Sequence, residues 1–290
     1  MVSLSSIISM LVVLVLSVAL PIGALLFINA KYKGERLAAA WGIGALGFFV
    51  LQRIIRMPII TILSLKPWYR EFATKHYVLY CLILASTAGL FEVIARVITI
   101  SILKKKRGLS MRRGIAAGMG HGGIECILLL SATYVSNISM AIMINIGSVD
   151  ALGAYPGIDT TAAAAIETAK QALINTKPIL YYLALYERIP SMLFHVALTT
   201  TVCFFAMKGK MFIGALIAFA LHTFVDGFTA IASGLAGSYL GVTLSQTTVY
   251  IIIYAFLTAV GVLSVVFTVK MCRGMKVQQA EVTDEQFAAC

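Results

Sequence analysis

Ionisable side chains stand four residues apart inside several long apolar stretches of this sequence. The spacing occurs three times, as Glu92 with Arg96, His121 with Glu125, and His222 with Asp226. Residues i and i+4 share one face of a helix, so the two members of each pair can act together. Imidazole and carboxylate groups bind divalent metals such as zinc, and a carboxylate next to the metal can act as the base that activates water.

The depth of these residues within their apolar stretches brings four of them to one level. Glu92, Glu125 and His222 each lie 12 residues from the basic loop residue at one end of the stretch, and His195 lies 13 residues from its own. At about 1.5 Å per helical residue this distance is about 18 Å, close to the middle of a bilayer. We therefore expect two carboxylates and two imidazoles from four helices to form a metal site or a proton site.

Neighbouring charges fit supporting roles in such a site. Arg96, one helical turn from Glu92, is placed to stabilise its carboxylate. Asp226 is placed to orient the ring of His222 through its second nitrogen. A second interpretation remains open, because charges inside a membrane also tie helices together as ion pairs. It applies first to the four charged residues that the spacing does not connect to this level, which are Arg53, Arg56, Glu187 and Arg188.

The composition shows which elements must position these residues. Hydrophobic residues make up 60% of the 290 residues and charged residues only 12%, against about 25% charged in soluble domains. This excludes a soluble enzyme and a disordered chain, and five cysteines without a pairing pattern exclude a disulfide scaffold. Seven apolar stretches are long enough to cross a bilayer: 4–29, 37–65, 77–103, 114–146, 179–207, 211–236 and 247–269. The predicted fold is an all-α, polytopic membrane helix bundle, because a spanning helix satisfies its own backbone hydrogen bonds.

The basic residues predict the orientation. Fourteen Lys and Arg residues fall in the loops at 30–36, 104–113, 208–210 and from 270 onward, against five in the loops on the opposite side. Basic loops face the cytoplasm, which places the N-terminus outside and the C-terminus inside. The same loops explain the net charge of +11 without a nucleic-acid partner. We expect one transmembrane domain over 1–270, with a surface helix at 160–175, and a polar cytoplasmic tail over 271–290.

The order of these motifs resembles the YhfC family of intramembrane metalloproteases, over roughly residues 40–230. The matching segments are Phe49–Arg56, Gly89–Arg96, Gly120–Glu125, Glu187–Arg188 with Phe194–His195, and His222–Asp226. That family is related to the type II CAAX prenyl proteases and the PrsW proteases. Their shared pattern is a Glu-Glu-…-Arg motif, a Phe-plus-His motif and a His-x-x-x-Asp/Asn motif on separate helices. The matching residues here are Glu92 with Arg96, then His195, then His222 with Asp226.

The resemblance implies a catalytic divalent metal, expected to be zinc. Its ligands are expected to be His195 and His222, with His121 or a glutamate as a further ligand. Glu92 or Glu125 is then the residue that activates water. The residues expected to support this site are Arg96, His121, Glu187, Arg188 and Asp226.

Three functions follow from this pattern. The leading one is a metal-dependent endopeptidase of the cell membrane, acting on membrane proteins or peptides embedded in the lipid or next to it. The second is a proton- or ion-coupled transporter that uses the same Glu and His residues. The third is a non-catalytic membrane scaffold of the same superfamily, which also includes a non-catalytic subunit of the gamma-secretase complex. Val93 favours the third function, because it stands where the family pattern has a second glutamate.

Overall fold

The computed structural model describes residues 1–153, 159–237 and 239–288. Within these residues the chain forms eleven α-helices, and one π-helical segment, Phe49–Arg56, joins α2 to α3. The helices are α1 Leu4–Lys31, α2 Leu37–Phe48, α3 Met57–Ser64, α4 Pro67–Lys75, α5 Tyr77–Arg107, α6 Met111–Asn145, α7 Ser148–Gly153, α8 Thr160–Asn175, α9 Pro178–Met207, α10 Met211–Ser233 and α11 Gln246–Ala288.

The described part of the chain contains seven helices long and apolar enough to cross a membrane, which confirms the predicted all-α polytopic fold. The second of them, Leu37–Ser64, combines α2, the π-helical segment and α3. The fourth, α6, is one helix over its 35 residues. Large apolar side chains such as Leu26 and Phe212 are exposed on these helices, as expected for surfaces that face lipid. The orientation of the two termini stays a prediction.

The chain divides into two compact units, of which the first is formed by Met1–Gly23 and Cys126–Ile189. In this unit the Asn145 side chain holds the start of α1, since it accepts from Val2 N at 2.7 Å and donates to Val2 O at 3.0 Å. Asp159 caps α8 by accepting from the Ala162 N–H at 2.8 Å. The bounds of α8 match the surface helix that the sequence predicts at 160–175.

The second unit, Ala24–Glu125 with Pro190–Cys290, contains close helix contacts that depend on glycine. Gly114, Gly118 and Gly122 of α6 are four residues apart and face α9. A Cβ atom at Gly118 would lie 2.7 Å from the Cα atom of Val196. Small residues at this spacing let two helices approach until their backbones touch. The contact brings the N-terminal part of α6 against the part of α9 that carries the Phe194–His195 motif.

A methyl group added at Gly120 is expected to separate α6 from α2. A Cβ atom there would lie 1.9 Å from the backbone oxygen of Trp41, and neither backbone can rotate away as a side chain would. We expect Gly120→Ala to cost about 3 kcal/mol of stability and to lower the melting temperature of the detergent-purified protein. Gly42→Ala is the matched control in α2, because nothing lies within 4 Å of its Cβ position. Equal melting temperatures for the two variants would contradict this contact.

Candidate functional site

Glu92 of α5 is the centre of a buried polar cluster in the second unit. Its Oε2 atom lies 3.0 Å from Arg96 Nη2 and 3.1 Å from His121 Nε2. The Nδ1 atoms of His195 and His222 lie 3.4 and 3.5 Å from the same oxygen. None of these five residues is more than 4% exposed. Four helices, α5, α6, α9 and α10, therefore contribute side chains to one cluster.

The histidines of α9 and α10 have the same arrangement. Each turns Nδ1 toward Glu92 and Nε2 toward a further carboxylate. His195 Nε2 lies 2.6 Å from Glu125 Oε2, and His222 Nε2 lies 3.1 Å from Asp226 Oδ2. A carboxylate at the second ring nitrogen fixes the orientation and the tautomer of a histidine. The expected orienting role of Asp226 requires this contact, and Glu125 has the equivalent contact with the other ring.

The position of the ring proton of His195 follows from its contact with Arg96. Arg96 Nη2 lies 2.7 Å from His195 Nδ1. A guanidinium group donates and never accepts, so Nδ1 is the acceptor and the ring proton is on Nε2. That nitrogen is the one that faces Glu125. His195 therefore connects the Glu92–Arg96 ion pair to a second carboxylate.

Gln52 belongs to the cluster although no charge marks it in the sequence. It lies in the π-helical segment, is 4% exposed, and donates from Nε2 to Glu92 Oε1 at 2.9 Å. Its signal in the sequence is its place in Phe49–Arg56, the second-span segment that resembles the family. Arg56 ties this span to α5, because its Nη2 donates to the backbone oxygen of Leu84 at 2.9 Å. Arg56 thus joins two helices through hydrogen bonds, whereas the second interpretation of the sequence expects an ion pair.

The structure also shows the surroundings of the Glu187–Arg188 pair and of Val93. Glu187 and Arg188 belong to the first unit, where they form an ion pair with each other, and their supporting role stays a prediction. Val93 is buried in the apolar core of the second unit, together with Phe194 and Val225. The position at which the family pattern has a second glutamate therefore packs among apolar side chains in this protein.

Three of the buried side chains fit a metal ion by type and spacing. Glu92, His195 and His222 each offer a ligand atom, and these atoms lie within 4.8 Å of one another. The distances of 3.4 and 3.5 Å from Glu92 Oε2 to the two Nδ1 atoms are close to the roughly 3.3 Å between ligands of a tetrahedral zinc ion with bonds of about 2 Å. His222 Nδ1 has no hydrogen-bond partner among the described residues, so its lone pair is available to a metal. His121 reaches this group through Glu92.

Seven spanning helices and a buried Glu/His/His group define a multi-pass integral membrane protein with a candidate metal centre. Residues 16–238 match the family described as YhfC intramembrane metalloprotease, and the chain belongs to that family, as the motifs predict. It is 28% identical over 204 residues to a protein of Bacillus subtilis (strain 168) described as "Uncharacterized membrane protein YhfC". That match covers 70% of this chain and 76% of the relative. No solved structure matches the chain.

Proposed function

We propose that this protein is a metal-dependent intramembrane endopeptidase. Membership of a metalloprotease family supports the class of reaction. The observation that carries the proposal is the buried group of ligand atoms from Glu92, His195 and His222. Ionisable side chains cost several kcal/mol inside a membrane, so a group of them at one point favours a chemical role over packing alone.

The metal would be held by Glu92 Oε2 and by the Nδ1 atoms of His195 and His222. A divalent metal there supplies Lewis acidity, which polarises a peptide carbonyl and favours the ionisation of water. Glu125 and Asp226 hold the two rings from the opposite side, at Nε2. Such outer carboxylates fix the direction of the ligand atoms and increase their basicity.

Arg96 balances the charge of Glu92 in a surrounding of low dielectric. Its Nη2 atom contacts Glu92 Oε2 and His195 Nδ1, which are two of the three atoms assigned to the metal. The guanidinium group must give up its contact with His195 Nδ1 when a metal binds there, because that ring nitrogen has a single lone pair. We interpret Arg96 as the counter-charge that keeps the ligand atoms together before metal binding.

Glu125 is the carboxylate that we assign to proton transfer. Glu92 contacts every histidine of the cluster, whereas Glu125 contacts His195 and leaves 14% of its side chain exposed. During hydrolysis, water adds to the peptide carbonyl carbon and one of its protons passes to a Glu125 carboxylate oxygen. The same proton is then given to the amine nitrogen as the C–N bond breaks.

The proposed substrate is a peptide segment of a membrane protein, in the lipid or beside it. Asp226 is more exposed than Glu125 and the buried members of the cluster, with 41% of its side chain exposed. A carboxylate inside a membrane faces water or a polar ligand in preference to hydrocarbon. We therefore assign the approach of water and peptide to the edge of the cluster that carries Asp226.

Metal analysis and a cleavage assay test this proposal together. We expect about one zinc ion per purified chain, in line with a single site of this type. Single-span test peptides in liposomes should be cleaved, with the products identified by mass spectrometry. A zinc chelator should stop the reaction and added zinc should restore it. A chain without metal that carries protons along a pH gradient would indicate the transporter, and a chain that does neither would indicate the scaffold.

A further inference from the structure

The π-helical segment turns one face of the second span toward α5. Phe48, Gln52 and Arg56 are spaced by four residues, and such positions drift by about 40° per step around an α-helix. A π-helix has wider turns closed by i→i+5 hydrogen bonds, here including Met57 N–H to Gln52 O, and these turns offset the drift. As a result Gln52 and Arg56 both reach atoms of α5.

Both the nitrogen and the oxygen of the Gln52 amide form hydrogen bonds. Nε2 donates to Glu92 Oε1 at 2.9 Å and to the backbone oxygen of Ala88 at 3.3 Å. Oε1 accepts from Arg56 Nη1 at 3.3 Å. Because Arg56 only donates, it holds the oxygen end of the amide on its own side and leaves the nitrogen end for Glu92. The amide therefore has one preferred orientation.

The hydrogen bond from Gln52 gives the two carboxylate oxygens of Glu92 different partners. Oε1 is bonded to Gln52, while Oε2 faces Arg96 and the three histidines. The terminal torsion of a glutamate is broad and nearly two-fold, so a carboxylate without a fixed partner samples both orientations. We infer that Gln52 is a positioning residue, which holds the Glu92 carboxylate so that Oε2 is presented to the metal together with His195 and His222. This inference rests on the proposed metal site.

Zinc affinity provides a readout of this role that does not depend on activity. Gln52→Met keeps the volume of the side chain and removes the amide. We expect the dissociation constant for zinc, measured in detergent by competition with a chromophoric chelator, to rise about 10–100-fold, as for other partners of metal ligands. A side chain that merely joined two helices would change the melting temperature without changing this constant.

Thr87→Ala is the matched control. Thr87 Oγ1 accepts from Arg56 Nε at 3.3 Å and from Nη2 at 3.2 Å, between the same two helices, and it is not among the contacts of Glu92. This variant should melt at a lower temperature and keep the zinc affinity of the wild type. Arg56→Met is the second variant, for the case in which Gln52→Met does not fold. Without Arg56 the amide can turn over, and zinc should bind about tenfold more weakly.

The two possible failures are distinguishable. Wild-type zinc affinity in Gln52→Met, or in Arg56→Met if the first variant does not fold, would overturn the positioning role and leave the metal site standing. Equal weakening in Thr87→Ala would also overturn it, because the effect would then belong to the helix contact. A wild-type protein that binds no zinc would overturn the proposed function, and the role of Gln52 with it.

Discussion

Alanine at His195 or at His222 is expected to remove the bound metal from the purified protein. Each histidine supplies one of the three proposed ligand atoms. Structural zinc sites with four ligands bind with about 10–16 kcal/mol, so one ligand is worth about 3 kcal/mol, or more than 100-fold in affinity. The two rings come from different helices, α9 and α10, and neither can replace the other. Zinc per chain, measured by elemental analysis after gel filtration, should fall close to zero in both variants.

His76→Ala is the control for this experiment. His76 lies between α4 and α5, contacts the ring of Phe72, and is outside the proposed donor group. This variant should keep the zinc content of the wild type. Full zinc content in the variants of both cluster histidines would contradict the metal site, and the cluster would then be a network that holds helices together.

The sequence predicts the spans well because their signal is local. Each apolar stretch must exceed about 20 residues to cross the hydrocarbon, and charged or glycine residues mark its ends. The pairs at i,i+4 are also visible in the sequence, since helix geometry alone places them on one face. Two of these pairs, Glu92 with Arg96 and His222 with Asp226, are in contact in the structure.

Residue spacing in the sequence does not reveal which side chains on different helices contact each other. His121 and Glu125 share a face of α6, yet His121 contacts Glu92 and Glu125 contacts His195. Such choices depend on how closely the backbones approach, and that distance is set by contacts such as Gly118 on Val196.

Gln52 could not be assigned a role for a related reason. A neutral amide gives no charge signal, and the i→i+5 bonds of a π-helix leave no distinct hydrophobic period in eight residues. Only the resemblance of the surrounding segment to a family marks the position. The role of the amide depends on its contact with Glu92, which is 40 residues away along the chain.

The two glutamates are expected to respond differently to the same substitution. Glu92→Gln should bind zinc more than about 100-fold more weakly than the wild type, because a neutral amide oxygen is a much weaker ligand than a carboxylate. It also leaves Arg96 buried without its counter-charge, a change that costs about 3–5 kcal/mol and should lower the melting temperature. Zinc content and thermal melting of the same preparation measure both effects.

The Glu125→Gln protein should instead keep its bound zinc and lose its peptide-cleaving activity. The amide oxygen of the new side chain can still accept from His195 Nε2, so the ring keeps its orientation, but an amide cannot take up a proton from water. Loss of a general base typically lowers the rate by about 10²–10⁴-fold. Cleavage of liposome-embedded peptides by zinc-loaded protein measures this loss. Zinc retained in Glu92→Gln and lost in Glu125→Gln would exchange the two roles, since the metal would then depend on the Glu125 carboxylate.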